Sequence, residues 1–230
     1  MSCRPPADFC AAIFDLDGTL LDSMSIWEKI DKDFLGRRGL PVPQDYVAAI
    51  APLSFRETAR YTIERFHLSE SEEGLMEEWS KIAEEEYALR VPLKPGAREY
   101  LEALKVSGVK LATATSLSHR LSAPALRRNG VYGLFDAQCS TDELAAGRRE
   151  KRHPDLFLLA AKKLAVRPET CIVFEDILPA VMGAKSAGMK VYCIADEASS
   201  AHAAELAAAS AGYLADFSEA PYPRSAFPSG

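Results

Sequence analysis

AAIFDLDGTLLDS, residues Ala11–Ser23, joins a short apolar run directly to two aspartates. Asp15 and Asp17 follow the apolar run at once, and Gly18 and Thr19 complete the motif. An apolar run without alternation is typical of a strand buried on both faces of a parallel sheet. Two carboxylates at the end of such a strand repel each other. The stretch therefore indicates either a turn, in which Asp-Gly is common, or a site that binds a ligand.

Length, charge and cysteine content narrow the class of protein. The 230 residues carry a net charge of −6, and 48% of them are apolar. The length allows one domain with an insertion, or two small domains, and the charge argues against general nucleic-acid binding, which needs a basic surface. The five cysteines are scattered, so neither zinc ligation nor a disulfide is expected. With no signal-peptide pattern and no run long enough to span a bilayer, we expect a cytoplasmic protein with no membrane partner.

Residues 23–90 have the pattern of a helical block. Ile26, Ile30 and Phe34 recur at helical spacing after Met24, and Gly39 is a plausible end for that helix. The stretches SFRETARYTIERF and SEEGLMEEWSKIAEEEYALR are also amphipathic at helical period. The block is therefore predicted to be entirely helical.

Helix-like and strand-like segments alternate after the Pro/Gly punctuation at 92–96. This alternation predicts an α/β fold, in which a Rossmann-like, doubly wound parallel sheet carries an inserted all-helical cap. The core domain is predicted at 1–22 and 91–230 and the cap at 23–90. The predicted strands are 10–14, 109–115, 134–140, 171–176, 190–196 and 211–216, and the predicted core helices are 97–106, 118–129, 154–166, 179–187 and 201–209.

Polar side chains stand at or beside the ends of three further elements. Thr115 and Ser116 end one predicted strand, Lys151 precedes a predicted helix, and Glu175 and Asp176 end another strand. Each has a structural alternative: Thr115 as a helix N-cap, Lys151 as a solvated surface lysine, and the two acids as a loop cap. Together, however, they can converge on one crevice, because ligands of open α/β sheets bind at the carboxyl ends of the strands.

This ordered set of motifs resembles the haloacid dehalogenase-like phosphatase superfamily, in the branch with a helical cap after the first motif. DLDGT, Asp15–Thr19, and VFEDILPAVMGAKSAGM, Val173–Met189, resemble its first and fourth motifs, which are highly specific. LATATS, Leu111–Ser116, and KRHPD, Lys151–Asp155, resemble the second and third, which are weak alone. Members similar to this chain include β-phosphoglucomutases and related phosphatases.

The resemblance implies a role for each motif residue. Asp15 would be the nucleophile that forms an aspartyl-phosphate, and Asp17 would protonate the leaving oxygen and activate water. Lys151 and Thr115 would act on the phosphoryl oxygens. A carboxylate that approaches a phosphate is repelled by about 4 kcal/mol per charge pair at 4 Å, so Mg²⁺ is expected as cofactor. Its implied ligands are Asp15, the Asp17 carbonyl, Asp176 and Glu175, and the phosphate would be bound by Gly18, Thr19 and Ser116.

Substrate choice is assigned to the cap and to the loop after the second motif. Arg56 is a candidate contact to a distal phosphate or carboxylate, with a solvated helix arginine as the alternative. Trp27 stands where β-phosphoglucomutases carry a histidine, and it is either a substrate contact or a core residue. Asp22 and Ser23 are either hinge residues or an N-cap.

Other departures from the β-phosphoglucomutase pattern concern the second and fourth motifs. Leu117–His119 replaces a serine, a lysine and an asparagine, so a lysine contact to phosphate is lost. His119 either substitutes for that contact or is an exposed helix residue. Ile177 and Ala180 stand where serine and glycine are frequent, which should reshape the loop without removing the metal ligands.

These observations predict a Mg²⁺-dependent phosphatase for a small phosphorylated metabolite, such as a sugar phosphate. A β-phosphoglucomutase-like isomerase is the alternative, and a phosphate-binding regulator without catalysis is a third hypothesis. Asp17 favours phosphoryl transfer over carbon–halogen cleavage, because the dehalogenases of the superfamily lack this second aspartate. The expected partner is the metabolite alone, with no nucleic acid or membrane, and the chain is expected to be a monomer or weak dimer.

Overall fold

The computed structural model describes residues 9–50, 53, 55–145, 148 and 151–223. The chain divides into two compact units. Met1–Asp22 and Pro92–Gly230 form the core unit, as far as they are described, and Ser23–Val91 forms the helical unit. The second boundary lies one residue beyond the position expected from the sequence.

The helical unit contains two long helices that pack against each other. Ile26, Ile30 and Phe34 bury one face of the first helix, and Leu75 and Trp79 bury a face of the last one. The first helix ends two residues before Gly39, whose φ of +70° suits glycine. The helices are α1 Met24–Arg37, α2 Tyr46–Ile50, α3 Phe55–Phe66 and α4 Glu72–Leu89. No helix in the described ranges has both the length and the apolar character needed to cross a membrane.

The core unit is built on a parallel sheet. Its strands are β1 Ala11–Phe14, β2 Lys110–Thr115, β3 Ala137–Ser140, β4 Cys171–Glu175, β5 Lys190–Ile194 and β6 Tyr213–Leu214. In the described part of the chain they lie in the order β3-β2-β1-β4-β5-β6, so β1 is central. Ala12 of β1 lies between Leu111 and Ile172 of its two neighbours. This sheet confirms the predicted α/β, doubly wound fold.

Both faces of the sheet are covered, as its apolar strands require. Phe14 stacks on Phe174 with ring centroids 5.0 Å apart, and Tyr100 and Phe217 pack against Phe174 on that face. Ile13 and its neighbours on the opposite face join a buried cluster with residues of three helices. The helices of the core unit are α5 Ala97–Val106, α6 His119–Arg128, α7 Asp155–Leu164, α8 Leu178–Ser186 and α9 Ala203–Ala209.

The two chain connections to the helical unit leave the core side by side. The Asp22 backbone N–H donates to the Pro92 carbonyl at 3.0 Å, and the Lys94 N–H donates to the Leu20 carbonyl at 2.9 Å. Leu21 and Leu93 form an antiparallel bridge between them. The insertion therefore begins and ends at one place in the core. Its start, at Asp22, follows Asp15 closely in sequence.

Candidate active site

A tight turn follows β1 and presents the first motif. The N–H groups of Thr19, Leu20 and Leu21 all approach the Leu16 carbonyl, at 3.3, 3.0 and 2.8 Å. Gly18 completes the turn with φ +74°, a backbone conformation that side chains with a Cβ disfavour. The turn leaves Asp15 buried at the strand end and Asp17 partly exposed just beyond it.

Gly18 also provides room for Asp176. A Cβ at Gly18 would lie 2.4 Å from Asp176 Oδ2, far inside van der Waals contact. The Thr19 hydroxyl donates to the other carboxylate oxygen, Asp176 Oδ1, at 2.9 Å. The small residue and the hydroxyl of the first motif thus fix the position of the acid that ends β4.

Lys151 brings one ammonium group to the same place. Its side chain is buried, and Nζ lies 2.6 Å from Asp15 Oδ1 and also contacts Glu175 Oε1. Burial by itself would lower the pKa of Lys151, but the two carboxylates outweigh that effect and raise the pKa above its ordinary value. Lys151 therefore carries a charge at neutral pH.

Three buried carboxylates lie around this ammonium. One oxygen from each of Asp15, Glu175 and Asp176 lies within 4.8 Å of the others. Burial raises the pKa of Glu175 to about 7, against the opposing effect of Lys151. Burial, reinforced by the neighbouring carboxylates, also raises the pKa of Asp176 well above its ordinary value. If all three were ionised, the carboxylates would carry more negative charge than Lys151 can balance, which is why their pKa values rise.

The residues present fit a divalent cation. Asp15, Glu175 and Asp176 each offer a carboxylate oxygen, the type of ligand that hard cations such as Mg²⁺ prefer. Glu175 Oε1 is buried against the Lys151 ammonium, which it shares with Asp15. The attraction of a cation for these oxygens would offset the desolvation cost that raises the pKa values of Glu175 and Asp176.

The second motif lies at the end of β2. Thr115 is buried, and its hydroxyl oxygen accepts the Leu117 N–H at 3.1 Å. Ser116 is exposed, and the carbonyl of Leu117 accepts the Ser140 hydroxyl at 2.8 Å. Thr115 and Asp15 end adjacent parallel strands, so the structure brings the second motif to the edge that carries the acids.

The remaining candidate contacts have partners of their own. Arg56 is exposed and forms ion pairs with Glu72 and Glu73 at 3.0 and 2.7 Å. Trp27 is half-buried and packs edge-to-face against Phe55. These three contacts all lie within the helical unit.

Three further candidate residues lie near the ends of helices. His119, the first residue of α6, lies 3.3 Å from Glu143 Oε1 on the surface. Ser23 occupies the N-cap position of α1 but makes no side-chain capping bond, and Asp22 is exposed. A contact of Arg56, Trp27 or His119 with substrate stays a prediction.

An ion pair beside the turn was not predicted from the sequence. Lys94 Nζ lies 2.6 Å from Asp196 Oδ2, and both side chains are largely buried. Asp196 follows β5, and its Cγ would lie 3.5 Å from a Cβ at Gly18. A signal was present, because Asp196 ends its predicted strand just as Asp176 ends its own. The site edge thus carries a fourth buried carboxylate, which has its own counter-ion.

Two curated relatives resemble most of the chain. Phosphorylated carbohydrates phosphatase of Thermotoga maritima is 31% identical over 180 residues, which are 78% of this chain and 82% of the relative. Hexitol phosphatase B of Escherichia coli K12 is 28% identical over 194 residues, which cover 80% and 83% of the two chains. Both names denote phosphatases, in agreement with an enzyme of the hydrolase class.

Fold and family agree with these relatives. The crystal structure of β-phosphoglucomutase from Clostridium difficile superposes with a TM-score of 0.70, covering 93% of this chain and 94% of that one. At 20% identity this similarity shows the fold alone. A family model described as haloacid dehalogenase-like hydrolase matches residues 12–194, which include the strand ends at Asp15 and Asp176. The resemblance seen in the motifs is confirmed, and the chain belongs to the haloacid dehalogenase-like hydrolase family.

Proposed function

We propose that this enzyme hydrolyses the phosphate monoester of a small, sugar-like metabolite through an aspartyl-phosphate on Asp15, with Mg²⁺ as cofactor. The observation that carries the proposal is the buried cluster of Asp15, Glu175 and Asp176 around the Lys151 ammonium. Burial of such a cluster of carboxylates costs free energy unless a cation compensates their charge. The cluster therefore supports a bound cation next to the carboxylate nucleophile. When bound, Mg²⁺ supplies the positive charge that offsets repulsion between Asp15 and a phosphate.

In the first step an Asp15 carboxylate oxygen forms a bond to phosphorus. The bond between phosphorus and the alcohol oxygen breaks, and Asp17 donates a proton to that oxygen. Lys151, whose Nζ lies 2.6 Å from Asp15 Oδ1, orients the nucleophile and balances the charge that develops on the phosphoryl oxygens. Thr115 and the backbone N–H groups after β2 hold those oxygens in line.

The second step regenerates the enzyme. Asp17, now a carboxylate, accepts a proton from water, and the water oxygen attacks phosphorus. The bond between phosphorus and the Asp15 oxygen breaks, which releases inorganic phosphate. Asp17 lies beyond the strand end and is partly exposed, so it can exchange protons with water between steps.

The substrate class comes from the relatives. Their names specify phosphorylated carbohydrates and hexitol phosphates, and we extend this class to the present chain. The β-phosphoglucomutase-like isomerase remains the second candidate, favoured by the shared fold. The two functions differ only in the acceptor of the phosphoryl group from Asp15: water or a second sugar hydroxyl.

The test is a panel of phosphorylated sugars, sugar alcohols and other metabolites assayed for phosphate release, with and without Mg²⁺. We expect Mg²⁺-dependent release from members of the carbohydrate set, and loss of activity in Asp15→Asn but not in Asp33→Asn, a matched change at a half-exposed position of α1. Full turnover in Asp15→Asn contradicts the proposed nucleophile. Conversion of β-glucose 1-phosphate to glucose 6-phosphate with little free phosphate favours the isomerase instead. Binding of phosphate without turnover of any substrate favours the regulator.

A further inference from the structure

The backbone around Lys151 passes directly over a glycine in the middle of α8. A Cβ built on Gly183 would lie 2.0 Å from the Lys151 carbonyl oxygen. It would also lie 3.0 Å from the His153 carbonyl oxygen and 3.1 Å from the Arg152 carbonyl carbon. Ordinary carbon–oxygen contacts are about 3.5 Å long, so even a methyl group has no room here. The backbone of Lys151–His153 therefore packs directly against the Cα of Gly183.

Glycine is otherwise a poor choice at this position. Gly183 is buried within α8, Leu178–Ser186, and a glycine in a helix interior weakens the helix relative to alanine. Its φ is not positive, so no backbone strain calls for it. The close approach of the Lys151–His153 backbone is a physical reason for its presence.

The contact matters because Lys151 cannot move independently of its backbone. The side chain is buried, and its Nζ is held against Asp15 at 2.6 Å and against Glu175. A long buried side chain follows its own Cα, since the surrounding atoms block other rotamers. The height of the Lys151 backbone above α8 therefore sets where the ammonium lies.

We propose that Gly183 is a positioning residue, which lets the Lys151 backbone settle onto α8 and so places the ammonium against Asp15. This inference rests on the proposed function, in which Lys151 orients the nucleophile. The same α8 follows Asp176 at the end of β4, so one strand–helix unit fixes both the acid and the ammonium. Neither Gly183 nor its contact belongs to the roles assigned above.

The decisive variant is Gly183→Ala. Its methyl group must displace the Lys151–His153 backbone by on the order of 1 Å, and a misplacement of that size can lower a rate about a hundredfold. We expect kcat to fall by at least about tenfold with KM little changed, because the ammonium orients the nucleophile. In a Lys151→Met background the same substitution should cost no further activity, since the residue that it acts through is gone.

A second readout does not depend on catalysis. Lys151 is buried and its ammonium is ion-paired, so an amine-acylating reagent should label it slowly in the wild-type protein. Displacement in Gly183→Ala should raise the labelling of Lys151, measured by peptide mass spectrometry against the exposed Lys32. Lys94, also largely buried in an ion pair, should stay protected in both proteins.

Gly36→Ala is the matched control. Gly36 lies in α1, and a Cβ there meets nothing within 4 Å, so this variant should gain helix stability and keep wild-type kcat and Lys151 protection. Wild-type kcat, or unchanged Lys151 labelling, in Gly183→Ala overturns the inference. Labelling of Lys94 together with Lys151 also overturns it, because the glycine would then support the whole fold. A wild-type enzyme without phosphatase activity points instead to failure of the proposed function, and the labelling result still decides whether Gly183 positions Lys151.

Discussion

Replacement of Lys151 by methionine removes an ammonium that lies among three buried carboxylates. Its Nζ lies 2.6 Å from Asp15 Oδ1, where two unit charges attract by about 6 kcal/mol at an effective dielectric near 20. Desolvation of both groups offsets part of this, and removal of one partner from a buried pair costs about 3–5 kcal/mol. We expect Lys151→Met to lose about that much free energy of unfolding in the metal-free state. Removal of a group that stabilises transition-state charge should also lower kcat by about 10²–10³.

The measurements are urea unfolding with and without Mg²⁺, and kcat at saturating Mg²⁺ and substrate. Lys94→Met is the matched control, because its Nζ also lies 2.6 Å from a buried carboxylate, Asp196. Lys94→Met should lose a comparable free energy of unfolding. Its kcat, however, should fall at least about tenfold less than the kcat of Lys151→Met. Added Mg²⁺ should recover more stability in Lys151→Met, where the uncompensated carboxylates are themselves the proposed ligands.

Two results refute this reasoning. Lys151→Met with wild-type kcat would show that the ammonium has no part in the reaction. Equal losses of activity in the two lysine variants would show that the effect is general destabilisation, because Lys151 contacts Asp15 whereas Lys94 contacts Asp196.

Three further predictions follow from the same geometry. Gly18→Ala should lower Mg²⁺ affinity about tenfold or more, measured by calorimetry, because a Cβ 2.4 Å from Asp176 Oδ2 displaces that ligand. The same variant should have a lower melting temperature, because Gly18 has φ +74°, which alanine disfavours. The raised pKa of Glu175, about 7, means that the unfolded chain loses this proton first as pH rises, so metal-free stability should fall between about pH 4.5 and 7. Because Mg²⁺ needs the ionised acids, its effect on the melting temperature should be larger at about pH 8 than at about pH 5.5, and an equal effect contradicts the assignment. Asp17→Asn should keep Mg²⁺ binding but lower kcat by about 10²–10⁴, and loss of Mg²⁺ binding instead would argue against an acid–base role.

The sequence predicted the convergence of the acids because parallel strands end at a common edge. Asp15 and Asp176 end neighbouring strands, so their approach follows from the strand assignments and the fold. Lys151 is different, because it lies outside any strand and looks like a surface lysine. Its placement against Asp15 was expected only from the family resemblance, and the structure places its ammonium there.

Other features could not be predicted, for physical reasons. Helix α2, Tyr46–Ile50, is too short to show helical periodicity, and β3 begins at Ala137 rather than near 134 because a single 3₁₀ turn occupies residues 132–134. The Lys94–Asp196 pair joins residues that are distant in sequence and individually resemble solvated charges. The closeness of Gly183 to Lys151 depends on how a loop rests on a helix, which hydrophobic patterning does not encode.

The central claim is that Asp15, Glu175 and Asp176 together bind a divalent cation that the reaction needs. Calorimetric titration of Mg²⁺ into the wild-type protein and into Asp176→Asn tests it most directly, with phosphate release measured on the same samples. We predict one bound Mg²⁺ per wild-type chain, and loss of both binding and activity in Asp176→Asn. Equal Mg²⁺ binding by the two proteins, or full activity of the wild-type enzyme after removal of all divalent cations, would contradict the claim.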